Sequence, residues 1–231
     1  MDRLINVIGD RPVGVLLHGA SVKEMERGIY EVGKGDVCWV SLNSFSMVET
    51  NILQKIGDNL SVVALYAEAE IPRQYDNIVK FLQRKQNNLF ITSTSILEKI
   101  PYYEAFIREF RCKVYLSGGL PIPWSAQRKA NSVALLLSEI ISSGAKEINI
   151  FGMDGIKVGP TAIQEKESYY RHDTLFTRGR FTSIGKDTTD FNKAFPKILD
   201  YLRQQGYTPT ITNYNPKSYI KVFPRKAWVA P

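Results

Sequence analysis

The chain has 231 residues, 44% of them apolar, and a formal net charge of +7. These figures suit a single α/β domain over 1–231, with a full core and room for an insertion. They exclude a helix-spanning membrane protein, because no apolar run nears the roughly 18–20 residues a bilayer requires, and Asp2, Arg3 and Asp10 do not fit a secretory signal.

Strand-like and helix-like segments alternate along the chain. "VGVLLH" (13–18) reads as a strand, with a turn at Gly19 and a helix start at Ser21. "DVCWVSLN" (36–43) is a second strand, and the polar "SFSMVETNILQKI" after it looks helical. "LSVVALYA" (60–67) is a third, followed by an amphipathic helix over 73–85. "NLFITS" (88–93) is a fourth, then a helix over 95–110, then "CKVYLS" (112–117) as a fifth. "GGLPIPW" (118–124) is a Gly/Pro loop, and a long helix fits 129–143, ended by Gly144. "INIFGMDG" (148–155) opens as a strand covered on both faces and stops at Asp154 between two glycines. A helix over 189–205 and a strand over 208–214 complete the pattern.

Such alternation predicts an α/β fold: a Rossmann-like, mostly parallel sheet with helices on both faces. Cys38 and Cys112 fall inside strand-like runs. They read as buried thiols in a reducing, cytoplasmic compartment, without metal-ligand spacing.

Residues 155–187 break the rhythm. They hold six Lys/Arg, adjacent Tyr169 and Tyr170, and no core periodicity. A loop this long in a compact domain is usually functional or disordered; "ESYYRHDTLFTRGRF" has too many aromatics for plain disorder, and the segment is expected to be a lid inserted over the strand ends. Residues 1–154 carry 17 basic and 17 acidic side chains, whereas 155–231 carry 13 and 6. The whole positive excess therefore lies in the last third, which fits either an anionic ligand or a solvated basic surface.

Ligands of open parallel sheets bind outside the carboxyl ends of the strands, so polar residues there are the candidates. In "LLHGAS", Gly19 permits a tight turn and Ser21 opens a helix whose N-terminus suits phosphate. The same residues also fit an ordinary turn. His18 fits a base or a satisfied polar residue. The stretch is neither a G-x-G-x-x-G fingerprint nor a Walker loop. Asn43 offers donors and an acceptor for a base or sugar, or a helix cap. Asn131 and Ser132 precede an apolar helix, for phosphate or for capping. Asp154 belongs at the open end of its strand, since a buried unpaired carboxylate costs several kcal/mol. In "NYNPKSY", Asn213, Asn215 and Ser218 leave the last strand toward the same crevice, or form an Asn-Pro turn. In the lid, Tyr169, Tyr170, Arg171, His172, Arg178, Arg180 and Lys186 combine hydroxyls with cations, which stabilise a leaving phosphate.

Taken together the motifs resemble the single-domain bacterial sialyltransferases that use CMP-sialic acid. The wider group contains the motility-associated (flagellin) glycosyltransferases and the archaeal hydroxymethylpterin pyrophosphokinases. "HGAS-KEME", "LNSF", "NSVALLLSEIISSGAKEINIFGMDG", "DTTDFNKAFPKILDYL" and "NPKS" carry the resemblance, in order and discontinuously across most of the chain. It implies a nucleotide-sugar donor as substrate, a glycan-type acceptor, no cofactor and no obligate metal. It implies that Asn43 contacts the nucleotide and Ser132 its phosphate or ribose. Tyr169 or Tyr170 would assist the leaving phosphate, and Asp154 would lie near the sugar or steady the site.

Three departures stand out. His18 replaces the family's first-loop asparagine, "LYAEAE" lacks the third-strand asparagine, and Lys186 falls where the sialyltransferases carry their catalytic-base histidine. A lysine with an ordinary pKa cannot accept a proton at pH 7. His172, in the lid, or His18 is expected to take that role.

Glycosyl transfer is the leading expectation. A Mg²⁺-dependent pyrophosphokinase-like transfer is the alternative, with Asp154 and Asp173 as its few candidate carboxylates. A non-catalytic nucleotide or nucleic-acid binder is the other. Phe223 and Trp228 look exposed in "SYIKVFPRKAWVAP", which leaves docking on this domain, on a second copy or on a membrane surface open.

Overall fold

The computed structural model describes residues 2–17, 19, 21–24, 35–43, 52, 56, 59–66, 68, 71–118, 131–155 and 178–227, the stretch 178–187 by its backbone. In chain order its elements are α1 (Asp2–Ile8), β1 (Val13–Leu16), α2 (Ser21–Glu24), β2 (Cys38–Leu42), β3 (Leu60–Leu65), α3 (Ile71–Arg84) and β4 (Leu89–Thr92). Then follow α4 (Thr94–Leu97), α5 (Tyr103–Phe110), a 3-10 turn (Arg111–Lys113), β5 (Val114–Leu116), α6 (Ser132–Ser142), β6 (Glu147–Phe151), α7 (Arg178–Gln204) and β7 (Thr210–Asn213).

The seven strands form one sheet in the order β5-β4-β3-β2-β1-β6-β7, every pair parallel. This is the α/β, Rossmann-like arrangement that the alternation predicts. Side chains alternate between the two faces. Val13 and Val15, Cys38 and Val40, Val62 and Ala64, and Ile148 and Ile150 join Leu4, Ile8, Leu136, Ile140, Phe191 and Phe195, packing one face against α1, α6 and α7. Leu16, Trp39, Val63, Leu65, Phe90 and Phe151 meet Ile78, Phe81, Leu82, Phe106 and Phe110 of α3 and α5 on the other. Burial on both faces explains why these strands read as unbroken apolar runs. Gly14 makes room for the indole above it: a Cβ there would lie 2.4 Å from the Trp39 ring.

The structure departs from the sequence reading in five places. A short helix, α1, precedes the first strand and buries Leu4 and Ile8. The helix expected over 95–110 is two helices, α4 and α5, separated around Pro101 by Tyr102, whose φ is 54°. Cys112 is exposed, because it lies in the 3-10 turn before β5 and not in the strand. Phe223 is buried against Phe191 and Phe195, not exposed. Finally α7 starts at Arg178, so the last ten residues of the expected lid are helical in backbone. Residues 156–177 and Trp228 lie outside the described residues, as does most of the helix expected after β2. Among the described residues no helix is long and apolar enough to cross a membrane.

Candidate functional site

Strand β1 lies between β2 and β6. The chain progresses outward from β1 to β5 on one side and reaches β6 and β7 on the other. This reversal is the topological switch point where open α/β sheets form their binding crevice.

Beyond the ends of β1 and β6 the two chains stay in contact. The Leu17 N–H donates to Phe151 O at 2.9 Å and the Gly19 N–H to Gly152 O at 2.8 Å. Both glycines are required. A Cβ on Gly19 would lie 2.2 Å from Gly152 O, and one on Gly152, whose φ is +75°, would lie 2.0 Å from Leu17 O. The close approach brings Ser21 to Asp154.

The Asp154 carboxylate receives the Ser21 N–H at Oδ2 (2.9 Å), the Ser21 hydroxyl at Oδ1 and the Asn215 amide at Oδ1 (2.7 Å). Its main-chain oxygen accepts from Tyr219 N–H at 2.7 Å and the Ser218 hydroxyl at 3.1 Å. Met153 O accepts from the same hydroxyl at 2.5 Å and from Asn213 Nδ2 at 3.0 Å. Gly19, Ser21, Asp154, Asn215 and Ser218 are thus brought together, and they clasp the ends of β1, β6 and β7. A helix N-terminus favours a negative charge, and at α2 that charge is Asp154. The Ser21 N–H offered to a phosphate is therefore already engaged.

Asn43 stands one strand away, at the end of β2. Its φ is 52°, in the left-handed region that asparagine tolerates better than most residues. Its N–H donates to Ala64 O at 2.7 Å, its Oδ1 accepts from Tyr66 N–H at 3.0 Å, and its carbonyl accepts from Gln74 Nε2 at 3.4 Å. The side-chain Nδ2 has no partner among the described residues.

Asn131 caps α6, its Oδ1 accepting from Ala134 N–H at 3.0 Å. The N–H groups of Ser132 and Val133, first in the helix, have no acceptor inside it. Because α6 connects the carboxyl end of β5 to the start of β6, its N-terminus lies on the carboxyl side of the sheet. Arg178, Arg180 and Lys186 belong to the opening turns of α7. His18, Tyr169, Tyr170, Arg171 and His172 lie outside the described residues.

Sequence reasoning missed a second polar group, at the ends of β3 and β5. The α6 residue Glu139 is buried, and its carboxylate accepts from the Tyr115 hydroxyl (2.6 Å), the Ser117 hydroxyl (2.9 Å) and the Gly118 N–H (3.2 Å). The Tyr66 hydroxyl is buried beside them, next to Ser117. Burial first, and then the nearby Glu139 charge, push the Tyr66 and Tyr115 phenols well above their ordinary range; for Tyr66 the neighbouring Ser117 hydroxyl acts in the opposite direction. A sequence signal existed: Glu139 is the single charge in "SVALLLSEIIS".

Among the described residues no group of three or more His, Cys, Asp or Glu is arranged to hold a metal ion. The chain matches no protein-family model, no curated protein and no solved structure.

Proposed function

We propose that this protein is a nucleotide-sugar-dependent glycosyltransferase of sialyltransferase-like type, acting on a glycan-type acceptor hydroxyl. The observation that carries the reading is the pairing, on one side of the sheet, of the Asn43 amide donors, which have no partner among the described residues, with the first N–H groups of α6 at Ser132 and Val133, which the Asn131 cap does not bond. Asn43 offers two donors to a base or ribose. Ser132 offers a hydroxyl and helix N–H groups to the phosphate. The basic last third of the chain, including Arg178, Arg180 and Lys186, adds attraction for an anionic donor.

The Mg²⁺-dependent alternative draws less support from the rim. Asp154 and Glu139 are each already held by three donors. Glu139 is buried and the Asp154 carboxylate is engaged with Ser21 and Asn215, whereas a metal-held triphosphate requires carboxylates open to the ion.

A thermal-shift screen of CMP, UDP, GDP and ATP, each with and without Mg²⁺, tests the proposal. A ligand that binds only the folded state raises the melting temperature. CMP or UDP raising it in EDTA is the expected result. A rise with ATP alone, and only with Mg²⁺, favours the pyrophosphokinase-like reading, and no rise with any nucleotide overturns both.

A further inference from the structure

Glu139 is 1% exposed and is the single charge in a helix whose other buried residues are apolar or serine. Burying a carboxylate there costs more than burying an apolar residue of similar size. The chain nonetheless places three donors on it: the hydroxyls of Tyr115 and Ser117 and the Gly118 N–H. Ser117 and Gly118 follow β5 directly, and Tyr66, whose hydroxyl is buried beside Ser117, follows β3. The group therefore sits at the carboxyl rim. Tyr66 N–H is in turn bonded to Asn43 Oδ1 at 3.0 Å, so the group continues the candidate nucleotide site.

Two further features give the cluster a direction. Glu139 is sealed, whereas Tyr115 and Ser117 are both half-buried; Ser117 stands beyond the last residue of β5, at the rim, and is the hydroxyl placed to meet a ligand there. Ser132 and Glu139 are seven residues apart, which puts them on one face of α6, about 10 Å apart along the axis. Leu135, between them on that face, is also only half-buried. A phosphate at Ser132 with one sugar ring below it would reach Ser117.

We infer that Ser117 and Glu139 form the proton-accepting pair of the transfer, Ser117 touching the acceptor and Glu139 acting through it; this rests on the glycosyltransferase reading. The acceptor oxygen attacks the anomeric carbon as the bond from that carbon to the donor phosphate oxygen breaks. The bonding pair leaves on the phosphate. The acceptor proton passes to Ser117 Oγ, and the Ser117 proton passes to Glu139 Oε1. No further reagent is consumed. The titratable groups facing Glu139 among the described residues are Tyr66 and Tyr115, and burial keeps both phenols neutral through the working range.

The test compares wild type, Glu139→Gln and Ser117→Ala by free-nucleotide release from CMP-sialic acid, UDP-glucose and UDP-N-acetylglucosamine across pH. In Glu139→Gln the amide oxygen still accepts from Ser117 and Gly118, and the amide nitrogen donates to a Tyr115 hydroxyl turned to accept. The nucleotide-induced rise in melting temperature should therefore be unchanged. Turnover should fall about 100-fold, the size of a lost general base, and the acid limb of the pH profile should vanish. Ser117→Ala removes the group that touches the acceptor and should also lose about 100-fold, with Glu139 still held by Tyr115 and Gly118. If wild type turns a donor over and Glu139→Gln stays within about threefold of it, this inference alone is overturned. If Glu139→Gln does not fold, Ser117→Ala decides by the same margin. No turnover of any donor by wild type overturns the transfer reading and this assignment with it.

Discussion

Asn215 Nδ2 donates to Asp154 Oδ1 at 2.7 Å, joining the loop after β7 to the loop after β6. The same carboxylate holds Ser21, 133 residues earlier in the chain. Asp154 is thus the point at which three strand ends are fastened, with its charge set against the first N–H of α2.

The aspartate therefore acts on stability before it acts on ligand. Asp154→Ala strands two side-chain donors and one backbone N–H, and should cost about 2–4 kcal/mol in urea unfolding. Asp154→Asn keeps one acceptor oxygen and should cost about 1–2 kcal/mol. Nucleotide affinity of the Asn variant should stay within about threefold of wild type; a larger loss at intact stability would make Asp154 a ligand contact.

Two glycines with positive φ separate conformational strain from collision. At Gly144 φ is +87° and a Cβ would meet nothing within 4 Å, whereas at Gly152 it would strike Leu17 O. Gly144→Ala should cost about 1–2 kcal/mol, the left-handed penalty alone. Gly152→Ala adds a backbone clash, and should cost at least about 3 kcal/mol or prevent folding. Equal losses in chemical denaturation would contradict the close approach of the β1 and β6 loops.

Much of this was legible in the sequence, and the rest was hidden for physical reasons. Double-sided burial made the strand runs continuous, so the strands themselves and the place of Asp154 at the end of one followed, but not their order in the sheet. What the sequence could not reveal was the partner: a carboxylate at a strand end reads alike whether it meets a ligand or a serine 133 residues away. The start of α7 was masked by Gly179, Gly185 and the threonines Thr182, Thr188 and Thr189, which dilute helical periodicity. Cys112 looked like strand because the tight turn at Arg111–Lys113 leads directly into β5. Glu139 escaped notice because its donors come from a strand end 21 to 24 residues earlier.

The two thiols should differ sharply in reactivity. Cys112 is exposed and Cys38 is buried, and only an accessible thiolate reacts. Native protein treated with Ellman's reagent at pH 8 should release one equivalent quickly and the second only on unfolding. Two fast equivalents would contradict the packing of β2.

Stability should fall in alkali. Burial pushes the Cys38 thiol from 9.0 up to about 11, and the Tyr66 and Tyr115 phenols are also raised by burial. Above pH 9 the unfolded chain loses the Cys38 proton while the native chain keeps it. A raised native pKa therefore contributes stability that is full below 9.0 and lost as pH climbs through about 11. Unfolding free energy should be flat from pH 7 to 9 and decline beyond, and Cys38→Ala should remove about 2 kcal/mol of that decline. An identical alkaline slope in the variant would contradict it.

The most direct measurement is calorimetric titration of CMP and UDP, in EDTA, into wild type and Asn43→Asp. Aspartate keeps the oxygen that accepts from Tyr66 N–H and tolerates the left-handed backbone, but it replaces the amide donors with a negative charge. Saturable binding by wild type, weakened at least about tenfold in the variant at unchanged melting temperature, is the predicted result. No binding by wild type, or equal binding by both proteins, would contradict a nucleotide site at this rim.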